Sequence, residues 1–258
     1  MSENEYQEKI NAIDALLDKW KNKAPSPDGY INHPTSVFIR DGIVNEKPEE
    51  WYSQECRPLF LLKEAYGGEK DWDLTSYVRS VADGEKKNRT WRNIAMWTYG
   101  ILHTHADSDT LPNLPEYHRE TDASSQNATT TTFDEHLLRK IAVVNIKKSN
   151  GDPSSSDDDL KLYAKYDAQE LWDEIDLIDP TVIISANTHE IQDTIAAQNT
   201  PPIKIDRNYQ DWTSHLTINK HDVILIEYWH PANYFPSMMN YYTLMAVYQH
   251  ALQDCNHK

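Results

Sequence analysis

Arg57-Pro-Leu-Phe-Leu-Leu-Lys-Glu-Ala-Tyr-Gly-Gly68 is an apolar run the length of one buried strand that breaks off into a charged, glycine-containing turn. Three later stretches repeat the pattern. Ile141-Ala-Val-Val144 leads into Asn145-Ile-Lys-Lys148, Thr181-Val-Ile-Ile184 into Ser185-Ala-Asn187, and Val223-Ile-Leu-Ile226 into Glu227-Tyr-Trp-His-Pro231. Strands buried on both faces read as continuous Val/Ile/Leu runs instead of alternating ones. Four such runs separated by helical patterns therefore predict an α/β protein, a three-layer α/β/α sandwich on a four-stranded parallel sheet. Ligands of open α/β sheets bind outside the carboxyl ends of the strands. The four polar ends are accordingly expected to share one rim, and the chemistry to sit there.

Working outward from the strands, Tyr6, Ile10, Ile13, Leu17 and Trp20 fall at intervals of four and three and line one face of an amphipathic helix. Trp91, Ile94, Ala95, Thr98, Ile101 and Leu102 do the same over residues 88–102, and one helix is predicted over Lys161 to Ile178, closed by Asp179-Pro180. The last helix, Ser237 to Leu252, stacks Met238, Tyr241, Met245 and Tyr248 or Leu252 on one face. Ser36 to Arg40 reads as a short strand. Leu111 to Thr132, rich in Pro, Asn, Ser and Thr, reads as a mobile surface loop. The organisation expected is one domain over residues 1–258, with an N-terminal helical extension at 1–30 and a long insertion at about 69–138.

Composition narrows the classes of function. Two cysteines, Cys56 and Cys255, are too few for a disulfide framework, and no run approaches the ~20 apolar residues of a membrane helix. A soluble cytoplasmic protein with no membrane partner is expected. GxxxxGK[ST], GxGxxG, GxSxG and HExxH are all missing, so nucleotide cradling by a glycine loop, an esterase elbow and a zincin site are unsupported. His103-Thr-His105 lacks a third ligand at helical spacing, and no metal is expected. The net charge of -16 opposes nucleic-acid binding overall. Locally the balance reverses: Arg139 to Lys148 carries four basic residues and no acid, and Arg79 to Arg92 five against Asp83 and Glu85.

At the rim the order of the polar ends becomes specific. A strand ends in Lys63-Glu64-Ala65-Tyr66-Gly67, a later one in Asn145-Ile-Lys147-Lys148, a helix-Asp-Pro-strand unit follows, and the last strand ends in His230-Pro231-Ala232. In that order the chain resembles the uracil-DNA glycosylase superfamily. Its pattern is most similar to the iron-sulfur uracil-DNA glycosylases, whose first motif reads Gly-Glu-Ala-Pro-Gly, whose second strand ends in Asn-x-x-Lys and whose last motif begins His-Pro. The resemblance spans roughly Pro58 to Leu252.

The resemblance implies a DNA glycosylase that extrudes a pyrimidine and hydrolyses its N-glycosidic bond, leaving an abasic site. It implies Glu64, Asn145 and His230 as catalytic residues: Glu64 for water, Asn145 for the Watson-Crick edge of the base, and His230 for its developing anion. Ala65, Tyr66, Gly67 and Asn187, with Asn145, would bind the substrate. Lys147, Lys148, Asn233, Tyr234 and Phe235 would contact DNA, and the chain would act as a monomer. The cluster cysteines are missing, so no iron-sulfur centre and no other cofactor is expected. Ala65 stands where some relatives place a water-activating Asp, a loss that typically costs ~10²-fold to 10⁴-fold. Gly67 stands where the best-known relatives carry a bulky Tyr that excludes C5-substituted pyrimidines. A C5-modified base, hydroxymethylated or glycosylated, is thus favoured over uracil, and defence against phages is one setting for such an enzyme.

The residues also admit plainer roles. Asn145 can be a turn former, His230-Pro231 a strand cap and Glu64 a buried structural acid. A hydrolase of free nucleosides or nucleotides fits the acidic charge, and a non-catalytic binding protein or DNA mimic fits the same fold.

Overall fold

The structure, a computed structural model, describes residues 3–117, 132–208 and 212–256. Helix α1 (Glu3–Lys21) leads into β1 (Ile39–Arg40), β2 (Gly42–Ile43), the short α2 (Pro48–Tyr52) and β3 (Pro58–Glu64). Then come β4 (Trp72–Asp73), α3 (Leu74–Ala82), α4 (Arg89–His103), β5 (Glu116–Tyr117), β6 (Thr132–Phe133), a 3-10 helix at Glu135–Lys140 and β7 (Ala142–Lys147). The chain continues through α5 (Asp157–Tyr166), α6 (Ala168–Ile178), β8 (Val182–Ala186) and α7 (His189–Gln198). It closes with β9 (Asp206–Asn208), β10 (Thr213–Ile218), β11 (His221–Tyr228) and α8 (Ser237–Asn256).

The α/β class expected from the apolar runs is present. Seven strands form one sheet in the order β2, β7, β3, β8, β11, β10, β9. The four expected strands, β7, β3, β8 and β11, lie side by side and parallel at its centre. The sheet as a whole is wider than the four strands expected, and it is mixed. Strand β2 adds antiparallel to β7, and β10 and β9 add antiparallel beyond β11. The hairpin that adds β10 turns on Asn219 and Lys220, both with positive φ (47° and 71°). This left-handed pair suits the twist of a two-residue hairpin loop.

Alternate residues of the parallel strands feed two cores. Phe60, Val143, Ile184 and Ile226 pack with Val78, Ile94, Trp97 and Tyr241 from α3, α4 and α8. Leu59, Leu61, Val144, Ile183 and Leu225 pack with Leu17, Trp20, Leu160, Leu171 and Ile195 from α1, α5, α6 and α7. Helices thus cover both faces, which is why each strand carries a continuous apolar run. Each fully buried aliphatic side chain contributes ~1.5–3 kcal/mol. The stretch expected as an insertion supplies α3 and α4, and so forms one wall of the molecule.

Three local expectations need correction. The single helix predicted over Lys161 to Ile178 is two, broken at Asp167. Its fully buried carboxylate binds His33 (2.9 Å) and Lys23 (3.2 Å), and these partners pull the backbone off the helical path. Met238, placed on the buried face of the last helix, is 64% exposed, whereas Tyr241, Met245 and Tyr248 are buried. The start of the predicted mobile loop is tied down: Leu114 N–H donates to the Tyr242 hydroxyl (3.0 Å) and the Tyr241 hydroxyl to the Asn113 carbonyl (3.2 Å). Residues 118–131 of that loop lie outside the described residues. No helix among the described residues is long and apolar enough to cross a membrane.

Candidate active site

The carboxyl ends of β3 and β7 open onto a cavity of about 430 Å³. Glu64, Ala65, Tyr66, Gly67, Asn145 and His230, drawn from the three rim motifs, line it together. Leu74, Tyr77, Asn88 and Trp91, from α3, α4 and the turn before α4, close the opposite side with Trp72. Trp72 and Tyr77 meet edge to face, with ring centroids 6.4 Å apart, and form an aromatic wall of the kind a flat heterocycle stacks on.

Asn145 sits opposite Leu62 in the β3–β7 register and is 1% exposed. Its backbone N–H donates to the Asp41 carboxylate (2.7 Å), which fixes the end of the strand. Its side-chain Nδ2 is buried without a hydrogen-bond partner, and so is Nε1 of Trp72. A buried donor left unpaired costs ~1–3 kcal/mol. Both residues line the cavity, so a ligand's acceptor atoms can satisfy these donors once the side chains shift toward it.

Glu64 and Lys147 lie opposite each other in the same register and form an ion pair of 3.3 Å. The Glu64 side chain is only 4% exposed, because the loop after β7 folds over it. That loop is clamped to the β3 turn by Gly151 N–H to the Ala65 carbonyl (2.8 Å) and Asn150 Nδ2 to the Gly68 carbonyl (2.9 Å). A Cβ on Gly151 would lie 2.2 Å from Glu64 Cδ, so only glycine lets the carboxylate lie there undisturbed. Around Gly67 the reverse holds. Its φ is +108° and a Cβ would meet nothing within 4 Å, so the cavity is open at this point.

His230 faces Asn145 from the turn after β11. Its Nδ1 accepts the Ala232 N–H (3.1 Å), which leaves the ring proton on Nε2 as a donor. Burial, reinforced by the charge of Lys63, pushes the imidazole down from 6.5 to about 4, so it is neutral at physiological pH. The turn is anchored from α4, where Asn93 Nδ2 donates to the Pro231 carbonyl (2.7 Å) and Arg89 to the Asn233 carbonyl (2.9 Å). Beyond it Tyr234, 89% exposed, lies under the Arg89 guanidinium at 4.7 Å, and the exposed Phe235 rests on Trp229.

Not every expected site residue reaches this place. Asn187 lines a separate cavity of about 330 Å³ with Trp212 and Trp229, because its left-handed backbone (φ 60°) turns the chain toward β11. Lys148, expected on phosphate, is fully buried on the other face of the sheet. Its ammonium is held between Asp41 and Glu174 (2.6 Å to Glu174), so it cannot reach DNA. Burial would push that ammonium down, but the two carboxylates outweigh it and raise it. Asn233 spends its side chain on its own loop, donating to the His230 carbonyl (2.8 Å) and accepting from Phe235 N–H and Asn240.

Lys147 reaches the rim with its charge already met by Asp159 (2.6 Å) as well as Glu64. Lys63 is likewise paired with Asp157 (2.7 Å). Sequence reasoning missed Trp72, Tyr77 and Asn88. Asn88 had a signal, since it caps α4 through the N–H groups of Thr90 and Trp91 (2.9 and 3.4 Å). The two aromatics had none, because the β4–α3 segment carries no motif. Comparison with protein-family models, curated proteins and solved structures finds no match to this chain.

Proposed function

We propose that this protein is a pyrimidine-specific DNA glycosylase of the uracil-DNA glycosylase kind, hydrolysing the N-glycosidic bond of a base turned out of DNA. The observation that carries the reading is Asn145: a buried amide donor without a partner, on a residue that lines the same cavity as a neutral histidine. The central parallel quartet supports the finer fold reading, a uracil-DNA glycosylase-like sheet extended by antiparallel edges. The cytoplasm is the setting for such an enzyme, acting as a monomer.

The bond breaks with the base leaving as an anion and the sugar developing oxocarbenium character, so the site must donate to the base and supply water to the sugar. Asn145 Nδ2 donates to an acceptor on the base edge, and Trp72 Nε1 offers a second donor. His230 Nε2–H stabilises the developing anion, a role worth ~3–4 kcal/mol by analogy with oxyanion donors. Staying neutral down to about pH 4, it is a donor that does not lose its proton to the leaving base. Glu64 positions the attacking water. Open space at Gly67 favours a C5-substituted pyrimidine over uracil. Exposed Tyr234 and Phe235 are placed to enter a base stack.

One observation favours a second reading. Lys63 and Lys147 spend their charge on Asp157 and Asp159, and the chain carries a net charge of -16, which suits a free nucleoside better than a polyanion. A single experiment separates the two. Oligonucleotides bearing uracil, 5-hydroxymethyluracil, 5-hydroxymethylcytosine or its glucosylated form are treated with the protein and cleaved with alkali, and the matching nucleosides are assayed for free base. Strand cleavage is expected at a modified base, falling ~10²-fold to 10³-fold in His230→Ala with unchanged circular dichroism. Base release from nucleosides alone transfers the assignment to the second reading, and no release from either overturns both.

A further inference from the structure

At the opposite end of β11 from the cavity, three chemically different metal ligands converge. His215 of β10, Asp222 of β11 and Cys255 in the last turn of α8 each present one atom within 4.8 Å of the others. His215 Nδ1 lies 2.8 Å from Asp222 Oδ2, Cys255 Sγ 3.4 Å from the same oxygen, and Sγ 3.8 Å from Nδ1. A tetrahedral zinc ion with bonds of ~2.0–2.3 Å needs its ligand atoms roughly 3.3–3.6 Å apart. The observed triangle meets that requirement after shifts of about half an ångström.

The fold brings these residues together from far apart in sequence. In the β10–β11 register His215 is diagonal to Asp222, two residues along β10 from its partner Thr217, so both side chains stand on one face of the hairpin. Helix α8 delivers Cys255 to that face. A Cys-His-Asp nucleophile relay does not fit, because thiol and carboxylate both approach the same ring nitrogen. A relay needs one on each. Convergence on one point is instead what a shared cation requires. His215 and Asp222 also line a groove of about 460 Å³.

We propose that His215, Asp222 and Cys255 form a zinc-type site that fastens the carboxyl end of α8 to the β10–β11 hairpin, independent of the cavity chemistry. Binding balances simply. Cys255 loses its thiol proton to solvent and ligates as thiolate, while the His215 ring proton moves from Nδ1 to Nε2 and frees Nδ1 for the metal.

The test uses the untagged, reduced full chain. Zinc is titrated against a chromophoric chelator, and cobalt(II) is used as a spectroscopic probe of the same site. The expected result is one equivalent of zinc and, with cobalt, tetrahedral absorption plus a thiolate-to-metal charge-transfer band. Cys255→Ser abolishes the band, Cys56→Ser keeps it, and His215→Gln weakens zinc binding roughly tenfold or more. Failure of the wild-type chain to take up one equivalent overturns the proposal whatever the variants do. So does a thiolate band that survives Cys255→Ser.

Discussion

Asn145 and Lys148 are three residues apart at the end of one strand, both buried, both polar, and the chain treats them in opposite ways. Lys148 is enclosed on the α1–α6 side by Asp41 and Glu174, and every charge there has a counterpart. Asn145 points the other way, toward the cavity, with its donor unpaired. Asp41 connects the two, taking the Lys148 ammonium on one oxygen and the Asn145 backbone N–H on the other. The difference separates polar groups spent on holding the strand from those reserved for a ligand. Burial alone does not make that distinction; the presence or absence of a partner does.

The contrast breaks most violently if the paired side loses its cation. Lys148→Met leaves Asp41 facing Glu174 without a positive charge, and breaking a buried pair from one side costs ~3–5 kcal/mol. Urea denaturation should show that loss, and the cavity should fail with it, since Asp41 positions Asn145. A variant within 1 kcal/mol of wild type would mean that the triad does not hold the strand.

A smaller change tests Glu64, which belongs to the cavity by position and to the paired side by its bond to Lys147. Gly151→Ala places a methyl where the Glu64 carboxylate lies and displaces it, at little cost to the fold because the end of a flexible side chain yields. A rate ~10²-fold lower, matched by Glu64→Gln, is expected if Glu64 positions water. Wild-type rates in both variants would make Glu64 purely structural.

Asn145→Leu sharpens the comparison from the ligand side. It removes an unpaired buried donor and keeps the branched shape, so stability should rise by about 1 kcal/mol, or ~2–4 °C in Tm, while the proposed glycosylase activity disappears. Thermal unfolding that moves down instead would show that the amide already has a structural partner.

The sequence reveals the centre of this arrangement better than its edges. Continuous apolar runs identify all four parallel strands, because burial on both faces keeps their first residues apolar without alternation. The three rim motifs that converge could be read for the same reason, since each follows directly from such a run. The hairpin strand β10 escaped because Asn219-Lys220 lacks the glycine that usually marks a two-residue turn. Lys148 was misread because an Asn-x-x-Lys spacing does not say which face each residue takes. Its partners, Asp41 and Glu174, come from segments 107 and 26 residues away, and only folding brings them near. Asn187 failed in a similar way, through a left-handed backbone that no local signal announces.

The smallest effect expected is also the most selective. Burial, against the opposing pull of Lys148, raises Glu174 from 4.5 to about 8. From about pH 4.5 to 8 the folded chain therefore holds a proton that the unfolded chain has released, and stability falls as pH rises. His230 acts in the opposite sense. With its folded value at about 4 against 6.5 unfolded, it makes stability rise with pH across that lower window. The two slopes oppose each other below pH 6.5, and from about 6.5 to 8 only Glu174 acts between these two groups. The unfolding free energy from urea titration should drop over that upper window, by up to roughly 1 kcal/mol per pH unit. Glu174→Gln, which mimics the protonated acid, should flatten the drop, and His230→Gln should alter only the lower window. A wild-type profile flat from pH 6.5 to 8 would mean that Glu174 is already ionised beside Lys148. The triad would then carry a net negative charge, and the buried side of the strand would be as unbalanced as the cavity side.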